Sequence, residues 1–345
     1  MKDDPFLISL LCCLECRGQL QAHSSTTLSH DQHILCGELK CLSCGATYPI
    51  INGVPRFVKS KFTTDVFQTI EGFGYQWHKA NPIIQNTQFT AAETFIDFIK
   101  PVKAEYFKEK VVLDAGCGSA RFTTWAHQFG AAAVVGVDLS ESVDVAFENT
   151  RSFSNVLIIQ ADLLSLPLRQ SFDYVFSIGV LHHTSAPHRA FDEIVALVKP
   201  EGGISAWVYG RENNEWIINF LNPLRLHITS RLPRRLLLAL AYLITLPMFL
   251  VVKGIYRPTG RFKQLAQWRK HLFYFDYLYF LSGFGFHEQA YIVFDHLVPA
   301  IAEYIPCEEF TNWFEENNLQ HILITSRAGN SWRGFGVQPS IKTNS

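Results

Sequence analysis

The stretch Val111-Val112-Leu113-Asp114-Ala115-Gly116-Cys117-Gly118-Ser119-Ala120 decides the fold of this chain. A short apolar run ends in an acid and turns through Gly-x-Gly into Arg121-Phe122-Thr123-Thr124-Trp125-Ala126-His127, which reads as a helix. Strand, tight turn and helix start together make a ligand site. Glycines let a backbone approach closely, and the first helical N–H groups have no partner within the helix. A second apolar run, Ala133-Val134-Val135-Gly136-Val137-Asp138, also ends in an acid, and an acid at the tip of the second strand can hold both hydroxyls of a ribose. Arg121 stands where the pattern Gly-x-Gly-x-x-Gly needs its third glycine, which argues against NAD or FAD.

Further runs follow in order. Val156-Leu157-Ile158-Ile159 leads into Gln160-Ala161-Asp162-Leu163. Phe172 to Ile178 leads into Gly179-Val180-Leu181-His182-His183, and Leu197-Val198-Lys199-Pro200-Glu201-Gly202-Gly203 forms a turn before Ile204 to Tyr209. With Asp114-x-Gly-x-Gly, this series resembles the class I S-adenosylmethionine (SAM) methyltransferases, specifically those like the type 11 methyltransferases. Ala120 and Glu201 stand where that family has glycines. The resemblance implies an α/β fold, a Rossmann-like seven-stranded sheet with helices on both faces.

The N-terminal part has its own chemistry. Cys13-x-x-Cys16 and Cys41-x-x-Cys44 are two knuckles, each able to bring two thiolates to one tetrahedral metal. The 24 residues between them exceed the usual spacing, and the polar run Ser24 to His33 reads as a longer hairpin tip. Cys12 and Cys36 are left over, as buried thiols or alternative ligands. The closing segment Tyr48-Pro49-Ile50-Ile51-Asn52-Gly53-Val54-Pro55 resembles the zinc-ribbon domain of the tRNA-methyltransferase activator family. The expected metal is a structural zinc on Cys13, Cys16, Cys41 and Cys44.

The domain boundaries expected are a ribbon at 1–58, a linker with helices at 59–110, the SAM domain at 111–210 and 283–340, and a helical insertion at 211–282. The spacing from Ala91 to Lys110 predicts one helix. Phe73-Gly74-Tyr75-Gln76-Trp77 reads either as an aromatic segment folded over the cofactor or as plain packing. Within the insertion, Leu236 to Val252 carries no charge and is flanked by Arg231, Arg234, Arg235, Lys253 and Arg257. It is short for a membrane crossing and contains Pro247, so a buried lid or a hairpin on a bilayer surface is expected in preference to a span.

The family resemblance assigns residues to roles. Asp114, Gly116 and Gly118 shape the methionine end of the SAM site. Asp138 binds the ribose, and Leu139 packs on the adenine. Asp162 and Leu163 address the adenine edge, while Ile178 and Gly179 line the methyl-transfer face. His183, and after it His182, are the candidate bases, with loop orientation as the alternative role. Asp295, His296 and Tyr304 are further groups within reach of an acceptor.

The expected activity is SAM-dependent methyl transfer to a small-molecule or lipid-linked acceptor, with peripheral membrane association through 211–257. The net charge of −1 suggests no nucleic-acid partner. An RNA methyltransferase gripping RNA through its ribbon is the alternative, although residues 9–58 hold only Arg17, Lys40 and Arg56 as cations. A non-catalytic scaffold is the third reading. No export signal is apparent after Met1-Lys2-Asp3-Asp4-Pro5, so a cytoplasmic location is expected, with or without membrane contact.

Overall fold

A computed structural model describes residues 1–23, 33–58, 63–84 and 91–340. Most of the expected hairpin tip, 24–32, lies outside them. The N-terminal module has a short helix, α1 (Pro5–Ser9), capped by the Asp4 carboxylate, which accepts from the Phe6 and Leu7 amides. Its antiparallel sheet runs in order through β1 (Leu20–His23), β2 (Gly37–Cys41), β3 (Thr47–Ile51) and β4 (Val54–Pro55). Helices α2 (Thr64–Ile84) and α3 (Ala92–Phe98) follow. The single helix expected over 91–110 is not formed. α3 ends at Phe98, ahead of Pro101, and the rest is a 3-10 turn at Ala104–Phe107. A proline supplies no N–H and disfavours helix at the residue before it.

The main sheet then builds up as β5 (Val111–Ala115), α4 (Arg121–Gln128), β6 (Ala133–Asp138), α5 (Ser142–Thr150), β7 (Val156–Gln160), β8 (Phe172–Ile178), α6 (Pro187–Val195) and β9 (Val198–Tyr209). The C-terminal half adds α7 (Asn222–His227), α8 (Arg234–Val251), α9 (Arg257–Arg261), α10 (Phe275–Leu281), α11 (Phe286–Leu297), α12 (Cys307–Glu316), β10 (Gln320–Arg327) and β11 (Ser331–Val337). Strand order is β10-β11-β9-β8-β5-β6-β7, with β5 to β9 parallel and β11 antiparallel between β9 and β10. Every residue of β5 is buried, as a central parallel strand covered on both faces requires. Strand order reverses between β5 and β8, and ligands bind such sheets at the carboxyl ends flanking that point.

Two departures from glycine take an unusual backbone. Ala120 (φ 65°) and Glu201 (φ 64°) both adopt the left-handed conformation. Glu201 does so inside β9, beside an irregularity in its pairing with β8. β9 therefore begins at Val198, where the sequence suggested a turn.

The ribbon docks on the edge of the main sheet. The Phe57 amide donates to the Gln160 carbonyl (2.8 Å) and the Cys12 amide to the Pro167 carbonyl (2.8 Å). Arg17 donates to the carbonyls of Leu166 (2.8 Å) and Leu168. Arg56 pairs with Asp144 at 2.5 Å and donates to Gln160 Oε1 at 3.1 Å. The apolar cores of ribbon and sheet are continuous, with Leu7, Leu11 and Leu39 in the same cluster as Leu113 and Leu157.

Candidate functional site

A cavity of about 440 Å³ opens at the carboxyl ends of β5, β6 and β8. Eight of the nine residues expected to hold the cofactor line it: Gly116, Gly118, Asp138, Leu139, Asp162, Leu163, Ile178 and Gly179. The ninth, Asp114, is buried just beneath. It accepts from Thr123 Oγ1 at 2.6 Å, and burial pushes its carboxyl up to about 7.

The glycine turn is fixed by sterics. At Gly116 (φ +96°) a Cβ would stand 2.1 Å from Val180 Cγ2, and at Gly118 (φ +54°) it would stand 3.0 Å from Trp77 Nε1. At Gly116 the neighbour leaves room for hydrogen only, while at Gly118 the contact is tight and the positive φ adds strain for any side chain. Asp138 is oriented by three donors: the Gly118 amide (2.9 Å), the Ser140 amide (2.8 Å) and Ser140 Oγ (2.7 Å). Its two oxygens still carry lone pairs for ribose hydroxyls. Asp162 Oδ1 accepts from the Leu164 amide at 2.9 Å. Leu139 is braced through its carbonyl, which accepts from Gln160 Nε2 at 2.9 Å, and Gln160 is itself held by Arg56 of the ribbon. An acid, a close backbone turn and flanking leucines thus stand side by side along one wall of the cavity.

The other end of the cavity is built from elements whose role the sequence left open. From α2 come Phe73, Gln76 and Trp77, so the aromatic segment lines this cavity. From α10 and α11 come Tyr277, Phe280, Tyr291, Asp295 and His296. Asp295 accepts from Tyr209 Oη (3.0 Å) and Gln76 Nε2 (3.2 Å), while Tyr277 and His296 bond at 2.7 Å. Tyr304 stacks on Tyr209 at 5.7 Å but does not line the cavity. Arg121 and Arg327 complete the wall. The Arg121 guanidinium lies 4.3 Å from the Phe122 ring centroid and 5.2 Å from that of Trp77, and burial lowers it to about 10. Sequence reading missed Arg121 as a ligand-facing group because it stood out there only as the residue that breaks the dinucleotide pattern.

His183 lines the cavity. Its Nδ1–H donates to the Ile301 carbonyl (2.7 Å), which leaves Nε2 as the acceptor, and burial lowers its pKa to about 4. His182 is fully buried behind it, is not part of the lining, and has neither ring nitrogen paired among the described residues.

At the ribbon, Cys13, Cys16, Cys41 and Cys44 bring their sulfurs within 4.8 Å of one another. Cys13 and Cys44 stand at 3.6 Å, and Cys16 and Cys41 at 3.5 Å. Four thiolates at about 2.3 Å from a tetrahedral zinc stand roughly 3.8 Å apart, so the cluster fits a closed structural site. Cys12 and Cys36 lie outside it.

Strand order and cavity together define a class I SAM-dependent methyltransferase fold, with SAM as cofactor and structural zinc in the ribbon. More particularly, residues 113–206 match the family described as methyltransferase domain, and residues 4–53 match the Trm112p-like proteins. A tRNA U34 carboxymethyltransferase of Psychromonas ingrahamii is 34% identical over 135 residues, covering 36% of this chain and 39% of that protein. Its namesake in Pseudoalteromonas translucida is 35% identical over 101 residues, covering 28% and 31%. The chain thus spans about two fifths or less of these relatives.

Among solved structures, a SAM-dependent methyltransferase from Mesorhizobium loti is 30% identical, covers 30% of this chain and 48% of its own, and has a TM-score of 0.29. A complex of the Haloferax volcanii Trm112 methyltransferase activator is 15% identical, covers 79% and 97%, and has a TM-score of 0.46. The names of the sequence relatives correct two expectations: a small-molecule or lipid-linked acceptor, and nucleic acid as an unlikely partner. Both of these relatives are named tRNA U34 carboxymethyltransferases. Net charge averages over the whole surface, whereas phosphate binding depends on local clusters.

Proposed function

We propose that this chain transfers the activated one-carbon group of SAM to an RNA acceptor, with tRNA as the substrate class. The observation that carries this reading is the 34% identity to a tRNA U34 carboxymethyltransferase, joined to a Trm112p-like module in the same chain. SAM supplies a sulfonium-bound carbon already primed for in-line displacement. The protein has to align the acceptor and exclude water.

In this reading Asp138 and Asp162 hold the nucleoside end, and Asp114 with the glycine turn at Gly116 and Gly118 shapes the methionine end. The aromatic wall of Phe73, Trp77, Tyr277 and Phe280 receives a flat base. Asp295, oriented by Tyr209 and Gln76, takes up the acceptor proton. His183 is neutral at pH 7 and offers Nε2 as a hydrogen-bond acceptor; at about 4 its pKa makes it a weak base. His182 orients the loop from behind. Ribbon (1–58), linker with helices (59–110), SAM domain (111–210 and 283–340) and insertion (211–282) are the functional units.

The test is to incubate the protein with methyl-labelled SAM and a whole-cell extract, then fractionate. Label expected in nuclease-sensitive tRNA supports the reading. Label found only in the lipid or small-molecule fraction overturns it.

A further inference from the structure

Helix α8 is apolar all round yet packed on one side only. Leu237, Ala241 and Thr245 are buried, the first two against Phe294, Leu297 and Val298 of α11 and the turn after it. The opposite stripe, at helical spacing, is Leu236, Leu243, Leu246 and Leu250, which are 55, 67, 55 and 66% exposed. A helix on the surface of a globular protein shows water a polar face. Within the continuous helical stretch Arg234–Arg261, an apolar segment of 18 residues is only 22% buried. A second exposed stripe, Phe220, Leu224 and Ile228, stands on the segment before it.

The charge around this ridge is one-sided. From Trp216 to Phe275 there are ten Lys and Arg and no Asp or Glu, in a chain whose net charge is −1. Arg225 is buried and Arg234 pairs with Glu71 at 3.4 Å. Arg231, Arg235, Arg257, Arg261, Lys263 and Lys270 are exposed. Exposed Phe262, Trp268 and Phe273 accompany the last three.

From this geometry we infer that α8 and its basic flanks form a docking surface for an anionic phospholipid bilayer, with the helix lying in the interface plane. A crossing is excluded by packing. α8 lies along α11, which carries Tyr291, Asp295 and His296 into the cavity, and a spanning helix would have to leave that partner. Aliphatic side chains flanked by cations are what an interfacial helix presents, because acyl chains take the leucines and anionic headgroups take the Arg and Lys. RNA would satisfy the cations but leave the leucine ridge in water. The surface is one helix layer from the cavity and is independent of the acceptor's identity.

The test is flotation of the zinc-loaded full chain with vesicles of phosphatidylcholine, and of phosphatidylcholine mixed with phosphatidylglycerol. The protein is expected to float with the anionic vesicles only. Leu243→Gln with Leu246→Gln and Leu250→Gln changes exposed positions only and is expected to abolish flotation while SAM affinity and circular dichroism stay unchanged. Arg257→Ala, Arg261→Ala and Lys263→Ala are expected to weaken binding roughly fivefold apiece. A wild-type chain that stays below every vesicle overturns the inference. So does a leucine variant that floats as wild type, or one whose only defect is loss of tRNA binding or of a dimer.

Discussion

Removing Arg56 tests whether the ribbon supports the cofactor site or merely sits beside it. In Arg56→Ala the chain loses the 2.5 Å pair with Asp144, the 3.1 Å bond to Gln160 and a 3.3 Å bond to the Ile51 carbonyl. The paired side chains are 11 and 29% exposed, between the surface and interior regimes. Surface pairs contribute about 0–1 kcal/mol, and breaking an interior one costs about 3–5. With solvent screening counted, the loss should be about 2 kcal/mol. An unfolding entropy near 2.1 cal/mol/K per residue converts that into a melting shift of roughly 3 °C for 345 residues.

A double-mutant cycle with Asp144→Ala isolates the pair. The expected coupling is about 1–2 kcal/mol, well above the error of about 0.3–0.5 kcal/mol for independent sites. Because Gln160 Nε2 holds the Leu139 carbonyl beside Asp138, calorimetry on Arg56→Ala should also show SAM binding weakened severalfold. Additive denaturation energies together with unchanged SAM affinity would refute the argument that ribbon and cofactor site are mechanically joined.

The remaining predictions concern acid, glycine and zinc. His183, lowered from 6.5 to about 4, contributes stability that is present above pH 6.5 and lost as pH falls toward 4, about 3 kcal/mol in all. Asp114, raised to about 7, acts oppositely, stabilising below pH 4 and losing that contribution as pH rises through 7. Urea melts between pH 4 and 7 should therefore show a shallower acid loss for His183→Asn and a steeper one for Asp114→Asn. Gly116→Ala, driven into Val180, should abolish SAM binding in a filter or calorimetric assay. Cys16→Ser should lose the zinc measured by metal analysis and expose the ribbon to limited proteolysis.

The half of the cavity that the sequence assigned to the cofactor was legible because it is local. Each acid or glycine follows an apolar run at a strand's carboxyl end, so sequence order and spatial order coincide at Gly116, Asp138, Asp162 and Gly179. The other half was not. Tyr277, Phe280, Tyr291, Asp295 and Arg327 reach the cavity from three elements far downstream, α10, α11 and β10, and no spacing in the chain announces their convergence. The helix expected over 91–110 shows the limit of periodicity, since its apolar spacing runs on past Pro101 although the backbone cannot. The acceptor was misjudged for a related reason. The apolar run 236–252 was read as substrate chemistry, yet its exposed leucines lie on the face of α8 turned away from α11, while α11 itself lines the cavity.

Calorimetric titration of wild type and Asp138→Ala with SAM tests most directly whether the cavity holds SAM through Asp138. Two ribose hydroxyls on a carboxylate, at about 1.5–3 kcal/mol per charge-assisted bond, predict micromolar wild-type binding that weakens by at least roughly 10²-fold in the variant. Equal affinity in the two folded proteins, or none in zinc-loaded wild type, would contradict it.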